Sequence, residues 1–230
     1  MMRIENEDLL ADFQQQYQVQ ALFSSGECPE MELFAFQKGD ILLEEGMPSK
    51  HLFFLVAGAV KIATYSTTGK VLQLSHLEAF QVIGEMAVLW EREATANVQA
   101  TKPGYCLALS LEKHRQQLLN DVVFLRYVCH RLSEKMTDHN QVFSHTIFEP
   151  LENRLAALIL QRAANQVVRP VLTEWAELLC TSYRHLLRSL SALCAEGAIE
   201  KQGRQYRVKD EAMLGKIASG EGRAEPPVKQ

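Results

Sequence analysis

Thr173-Glu174-Trp175-Ala176-Glu177-Leu178-Leu179-Cys180-Thr181-Ser182-Tyr183-Arg184-His185-Leu186-Leu187-Arg188-Ser189-Leu190 divides into two short helices about a turn. Thr173 is placed as the cap of the first helix, which turns Trp175, Ala176 and Leu179 inward. The turn falls at Cys180–Ser182, and the second helix carries Leu186, Leu187 and Leu190 on its apolar side. This is the pattern of a helix-turn-helix. Gly197 stops the second helix, and Ile199–Lys201 and Gln205–Val208 flank Gln202-Gly203-Arg204 as a small β-hairpin.

A helix-turn-helix reads DNA by laying its second helix in the major groove, first residues against the base edges. Ser182, Tyr183, Arg184 and His185 fill that first turn, Thr181 precedes them, and Arg188 stands one turn further along on the face of Arg184. An arginine bonds O6 and N7 of guanine together, which discriminates against a wrong base by roughly 1–3 kcal/mol. Two arginines opposite an apolar face also suit a plain solvated surface. The hairpin weighs against that, because Lys201, Arg204, Arg207 and Lys209 lie on it, and Ser182 to Lys209 holds six basic and two acidic residues. Thr181, Ser182, Tyr183, Arg184, His185, Arg188, Lys201 and Arg204 are therefore the expected DNA contacts.

Working upstream, Arg169-Pro170 stops a helix expected from Leu151 to about Val168, with Leu155, Leu158, Ile159 and Ala163 on its apolar side. Pro150 ends the element before it and opens the new one, since proline pushes its predecessor out of the helical region and suits a helix start. Before Pro150 a long helix, capped by Asp121, repeats Leu125, Val128, Leu132, Met136, His139 and Phe143 every three or four residues. Its other face is hydrophilic (Arg126, His130, Glu134, Asp138, Gln141). Such a stripe serves either as an internal core helix or as a dimer seam. Ser110, whose hydroxyl is expected to cap, starts a shorter helix ending near Leu119.

From Leu33 to Leu109 the chain reads as short strands: Ile41–Leu43, Leu52–Val56, Val60–Tyr65, Val71–Leu77 and Cys106–Leu109. Gly46 and Pro48, Gly58, and Thr67-Thr68-Gly69 punctuate them. Strands this close, without helices between, point to an all-β barrel or sandwich.

The composition, 230 residues with 47% hydrophobic and 23% charged, is that of a folded protein of one or two domains rather than a disordered chain. Apolar runs such as Leu52–Ala57 fall far short of the roughly 18 residues of a membrane span. The acidic start Ile4–Asp8 is unlike a signal peptide, so a cytoplasmic protein is expected. Five widely spaced cysteines (Cys28, Cys106, Cys129, Cys180, Cys194) suit neither a disulfide framework nor a metal site; reduced, mostly buried thiols are expected, Cys129 among them. The net charge of −4 conceals a division. Residues 149–230 hold 12 Lys/Arg against 10 Asp/Glu, and residues 1–148 hold 12 against 18.

With these segments in this order, the chain resembles the catabolite activator/fumarate-nitrate regulator (CRP/FNR) family of bacterial transcription factors over about residues 33–210. The matching anchors are Gly46, Phe54-Leu55-Val56-Ala57-Gly58-Ala59-Val60 read as a hairpin, Gly69, Ile83-Gly84-Glu85-Met86-Ala87-Val88-Leu89, Asn153-Arg154-Leu155-Ala156 and Thr181–Arg188. The resemblance implies an α+β chain: a jelly-roll β-barrel of the cyclic-nucleotide-binding kind (residues 1–121), a dimerisation helix (122–148), a winged helix-turn-helix (149–218) and a disordered tail (219–230). It also implies a homodimer on an inverted-repeat operator in double-stranded DNA, with RNA polymerase as a further partner if the protein activates, and no enzymatic activity. Leu125, Val128, Leu132, Met136, His139 and Phe143 become the dimer seam.

In cyclic-nucleotide-binding members the segment around Gly84 is the phosphate cassette, where Glu bonds the ribose and an Arg before Ser/Thr holds the phosphate. Gly84, Glu85, Met86, Ala87 and Thr95 are on this reading the effector contacts, but Ala94 stands where that arginine belongs. Arg92 is two residues away and starts about 7 Å from the required origin. Cyclic AMP is therefore not expected, and the effector is unknown. An iron–sulfur cluster is not expected either, since Cys28 alone precedes the barrel. The alternatives are a cyclic-nucleotide regulator with an altered phosphate site and a cupin-like metal protein; for the latter, His51 and His76 in the barrel form no H-x-H pair.

Overall fold

A computed structural model describes residues 1–65 and 71–221, except for the side chains of residues 139, 141, 142 and 144–147. The turn expected at Thr67-Thr68-Gly69, the seam role of His139 and the tail beyond residue 221 lie outside the described residues. Two compact units are present, one of Met1–Tyr65 and Gln73–Asn140, the other comprising the described residues from Gln141 on.

In the first unit an antiparallel, barrel-like sheet contains β1 (Met2–Ile4), β2 (Glu32–Phe36), β3 (Ile41–Leu43), β4 (His51–Tyr65), β5 (Val71–Glu78), β6 (Gln81–Ile83) and β7 (Asn97–Ser110). The order is β1-β2-β7-β4-β5, with β3 on β7 and β6 on β4. Along β4, Leu52, Phe54 and Val56 enter one core with Phe23, Leu118 and Phe124, while Phe53 and Leu55 enter another with Phe36, Leu42 and Val98. Both faces are buried, which is why Leu52–Val56 is continuously apolar instead of alternating.

Helices α1 (Glu7–Gln16), α2 (Glu85–Trp90), α3 (Leu111–Leu119) and α4 (Val122–Phe148) complete this part of the chain. Three expectations change here. Phe54–Val60 is no hairpin: β4 runs through Gly58, at φ 86°, with irregular pairing to β7 between Leu55 and Val60. Ser110 stands at the start of α3, but its hydroxyl makes no capping hydrogen bond. Val128 is fully buried in the barrel-side core, so its side chain serves the fold and not a seam, and the half-buried Leu125 and Leu132 pack against that core. Met136 and Phe143 remain exposed, at 62% and 42%.

Asp121 does cap α4. Its carboxylate accepts from the backbone N–H of Val123 (2.9 Å) and Phe124 (3.0 Å), and from the N–H (2.8 Å) and hydroxyl (2.6 Å) of Ser24. Burial pushes its pKa up, yet the hydrogen bonds from Ser24, Phe124 and Val123 outweigh this and the net shift is downward. A folded pKa below the unfolded value of about 3.9 gives stability that is present above that value and is lost as pH falls through the folded pKa. Asp121→Ala is expected to lower the stability of this unit by about 2 kcal/mol at pH 7, read as a shift of the urea midpoint. The gap should narrow at pH 3, and an equal gap at both pH values would contradict the charged-cap account.

The second unit contains α5 (Leu151–Arg162), β8 (Val167–Val168), α6 (Leu172–Leu178), α7 (Tyr183–Ala195), β9 (Ile199–Gln202), β10 (Gln205–Val208) and α8 (Glu211–Ser219). Its sheet has the order β8-β10-β9. Leu155, Ile159, Trp175, Leu186, Leu190, Leu193, Tyr206 and Leu214 share one core. Helix α5 ends six residues before the expected Val168, because Asn165 and Gln166 take left-handed backbone at φ 51° and 61° and return the chain as a strand. Thr173 lies inside α6, whose cap residue is Val171. Helix α8, with Asp210 accepting from Met213 N–H at 2.8 Å, includes Ser219, where the tail was expected to begin, and closes at Gly220.

Candidate functional site

The second unit presents a basic face. Ser182 sits at the start of α7 and its hydroxyl accepts from His185 N–H at 3.2 Å, which orders the first turn. Leu186, Leu190 and Leu193 are buried, and the opposite side bears Tyr183, Arg184, His185 and Arg188, all exposed; Thr181 is half-buried in the turn. Two residues of α5 hold this helix pair in place. Arg154 donates through Nη1 to the Leu179 carbonyl and through Nε to the Glu149 carbonyl (3.2 Å), and Glu152 accepts from Ser189 Oγ at 3.0 Å. Arg154 was visible in the sequence as part of a shared motif; its positioning of the turn was not.

The β9–β10 hairpin turns at Gly203 and Arg204, with Gly203 at φ 64°, a left-handed conformation that glycine tolerates without strain. Lys201, Arg204 and Arg207 are exposed, whereas Lys209 faces Glu200 at 3.9 Å. An open groove of about 380 Å³ lies between hairpin and α7, lined by Pro170, Leu172, Thr173, Tyr183, Lys201, Gly203, Arg204 and Tyr206. Arg169 joins this region by donating from Nε to Gln205 Oε1 at 3.1 Å, a basic residue read in the sequence only as a helix stop.

In the first unit the residues expected to contact an effector lie around one cavity. Gly84, at φ 92°, precedes α2, and Gly84, Glu85, Met86, Ala87 and Thr95 line one cavity of about 90 Å³ with Arg92, Ala94 and Lys135. Sequence reasoning missed Lys135, which α4 brings to the cavity: its Nζ lies 2.8 Å from Glu85 Oε1 and 2.8 Å from the Val82 carbonyl. Both side chains are nearly buried, at 12% and 8% exposure. Arg92 is exposed, with its guanidinium over the Trp90 ring at 5.8 Å from the centroid.

These residues do not fit a cyclic nucleotide. Ala94 provides no cation for a phosphate, Glu85 is already engaged, and the volume is well under the roughly 300 Å³ at which small-molecule pockets begin.

Of the five cysteines, Cys106 is buried, and burial pushes its thiol pKa up; Cys28, Cys180 and Cys194 are half-buried. Cys129 is exposed, contrary to the buried role expected for it. Among the described residues no cluster of His, Cys, Asp and Glu could hold a metal ion, and no helix is long and apolar enough to cross a membrane.

Two family models match, a cyclic nucleotide-binding domain over residues 33–121 and a Crp-like helix-turn-helix domain over residues 153–217. The chain is 33% identical over 191 residues to the regulatory protein YeiL of Escherichia coli O157:H7, covering 82% of this chain and 86% of that protein. It is 24% identical over 189 residues to the cyclic AMP receptor protein of Thermus thermophilus, covering 80% and 87%. Among solved structures, a transcriptional regulator of the CRP/FNR family from Eubacterium rectale has a TM-score of 0.72 at 14% identity, covering 86% of this chain and 92% of that one. The c-di-GMP-responsive global regulator CLP of Xanthomonas campestris has a TM-score of 0.70 at 16% identity, covering 87% and 99%.

Proposed function

Because the chain belongs to the CRP/FNR family of transcription regulators, we propose that it acts as a homodimer reading an inverted-repeat operator through α7 and the β9–β10 wing. DNA binding through the helix-turn-helix belongs to the family, which consists of regulators and not enzymes. The observation that carries the finer reading is the exposed row Tyr183, Arg184, His185 and Arg188, set beside Lys201 and Arg204 over a firmly buried inner face. The first residues of α7 read bases, and the wing and Arg169 hold phosphates.

The dimer reading has its own support on α4. Val122, Cys129, Met136 and Phe143 recur every seven residues and are all exposed. Exposed Asn140 falls between the last two at the alternate seam position, where an asparagine fixes register and favours pairing of two helices. This row replaces the Leu125, Val128 and Leu132 part of the expected seam and keeps Met136 and Phe143. RNA polymerase is a further partner if the protein activates, and the cytoplasm is where such a regulator works.

Selection of duplexes from a random pool, at two salt concentrations, tests the reading, because phosphate contacts make affinity steeply salt-dependent. The expected result is an inverted repeat with half-sites one helical turn, about 34 Å, apart. A single unrepeated half-site would refute the dimer, and no enrichment at either salt would refute the reader.

A further inference from the structure

We propose that the barrel's nucleotide position is filled from within the chain: the Lys135 ammonium takes the place against Glu85 that a ligand would take, and operator binding is independent of cyclic nucleotides. The proposal deepens the reading above and rests on it for its DNA readout alone.

Glu85 begins α2 directly after Gly84 and is 6% exposed. A carboxylate buried to this degree is costly unless paired and hydrogen-bonded. Lys135 meets that need at 2.8 Å while its ammonium also donates to the Val82 carbonyl in β6. One side chain thereby ties α4 to both elements that form the cassette. A cyclic nucleotide would have to break this pair, and its phosphate, with Ala94 supplying no cation and Arg92 spread over Trp90, could be met only by drawing Lys135 away and leaving the Glu85 carboxylate buried without its partner. The space that remains, about 90 Å³, is correspondingly small. Lys135, a residue of α4, holds that helix against the cassette without a ligand.

The test uses the full-length chain and three readouts: calorimetric titration with cyclic AMP and cyclic GMP to about 1 mM, operator affinity with and without each nucleotide, and Trp90 fluorescence in a Trp175→Phe background, which leaves one tryptophan of the two. The wild type should show no saturable heat, and nucleotide should change operator affinity by less than twofold. Lys135→Met should shift the Trp90 emission and weaken operator binding at least tenfold, and Lys135→Arg, which keeps the ion pair, should restore both to within threefold of wild type. Nucleotide binding to the wild type below about 100 µM would overturn the proposal. So would a Lys135→Met variant with unchanged emission and affinity. If the wild type selects no operator, the reader assignment fails, and calorimetry and Trp90 emission still decide the fate of the Lys135 pair.

Discussion

Gly104→Ala should leave the first unit unable to fold at room temperature while the second still melts as a separate transition. A Cβ built on Gly104 lies 2.0 Å from the Ala57 carbonyl oxygen and 2.6 Å from its carbon. Both obstacles are backbone, so no side chain can swing aside. The antiparallel strands β4 and β7 shift register here, where Ala57 pairs Tyr105 and Ala59 pairs Lys102. Relief would require them to part by more than an ångström. The adjoining Leu55, Cys106 and Leu107 are fully buried and would lose their packing with that movement.

Side-chain overpacking alone costs about 1–3 kcal/mol, and a backbone clash exceeds it. That is a large share of a typical total of roughly 5–15 kcal/mol. Gly58→Ala should be as severe, since its Cβ would lie 2.5 Å from the Pro103 carbonyl oxygen at a left-handed φ of 86°. Gly215→Ala is the contrasting case: it lies in α8 with open space around it, and alanine there should add about 0.5–1 kcal/mol to the second unit. Calorimetry resolves these outcomes by which transition moves. A Gly104→Ala protein with both transitions at wild-type temperatures would show that the strands do not approach as described.

How much of this was legible in the sequence varies with the kind of signal. The helix-turn-helix, the Asp121 cap and the hairpin at Gly203 were readable because each is local: a few residues determine the hydrogen bonds they make. The continuity of β4 was not, because a strand buried on both faces has no period-two pattern and Gly58 reads equally well as a divider. The end of α5 was hidden for a related reason. Asn165 and Gln166 adopt left-handed backbone without a glycine to announce it. On α4, periodicity found the stripe but could not say what covered it. Val128 packs against the barrel, and the unpartnered row lies about one residue around the helix, through Cys129 and Met136. Lys135 escaped notice for the plainest reason: its partner Glu85 is fifty residues away, and a lysine on a polar helix flank looks like solvation.

Arg184→Ala should weaken the selected operator by roughly 10- to 100-fold per half-site and flatten base preference at one position in each half. Arg184 and Arg188 are exposed, one turn apart, on a helix whose other side is held by Leu186, Leu190 and Leu193 at no more than 1% exposure. Removing the guanidinium therefore leaves the packing intact, and thermal stability should stay within about 0.5 kcal/mol of wild type. Because the proposed operator has two half-sites, the affinity loss counts twice on the full site and once on a half-site duplex. Lys201→Ala and Arg204→Ala should behave differently. A phosphate contact carries no base information, so each should weaken all duplexes alike and reduce the salt dependence of binding by about one counterion per protomer. Competition among single-base operator variants at two salt concentrations separates the two patterns. If Arg184→Ala lowered every affinity by the same factor and changed the salt slope, Arg184 would be a phosphate contact, and base reading would fall to Arg188, Tyr183 or His185.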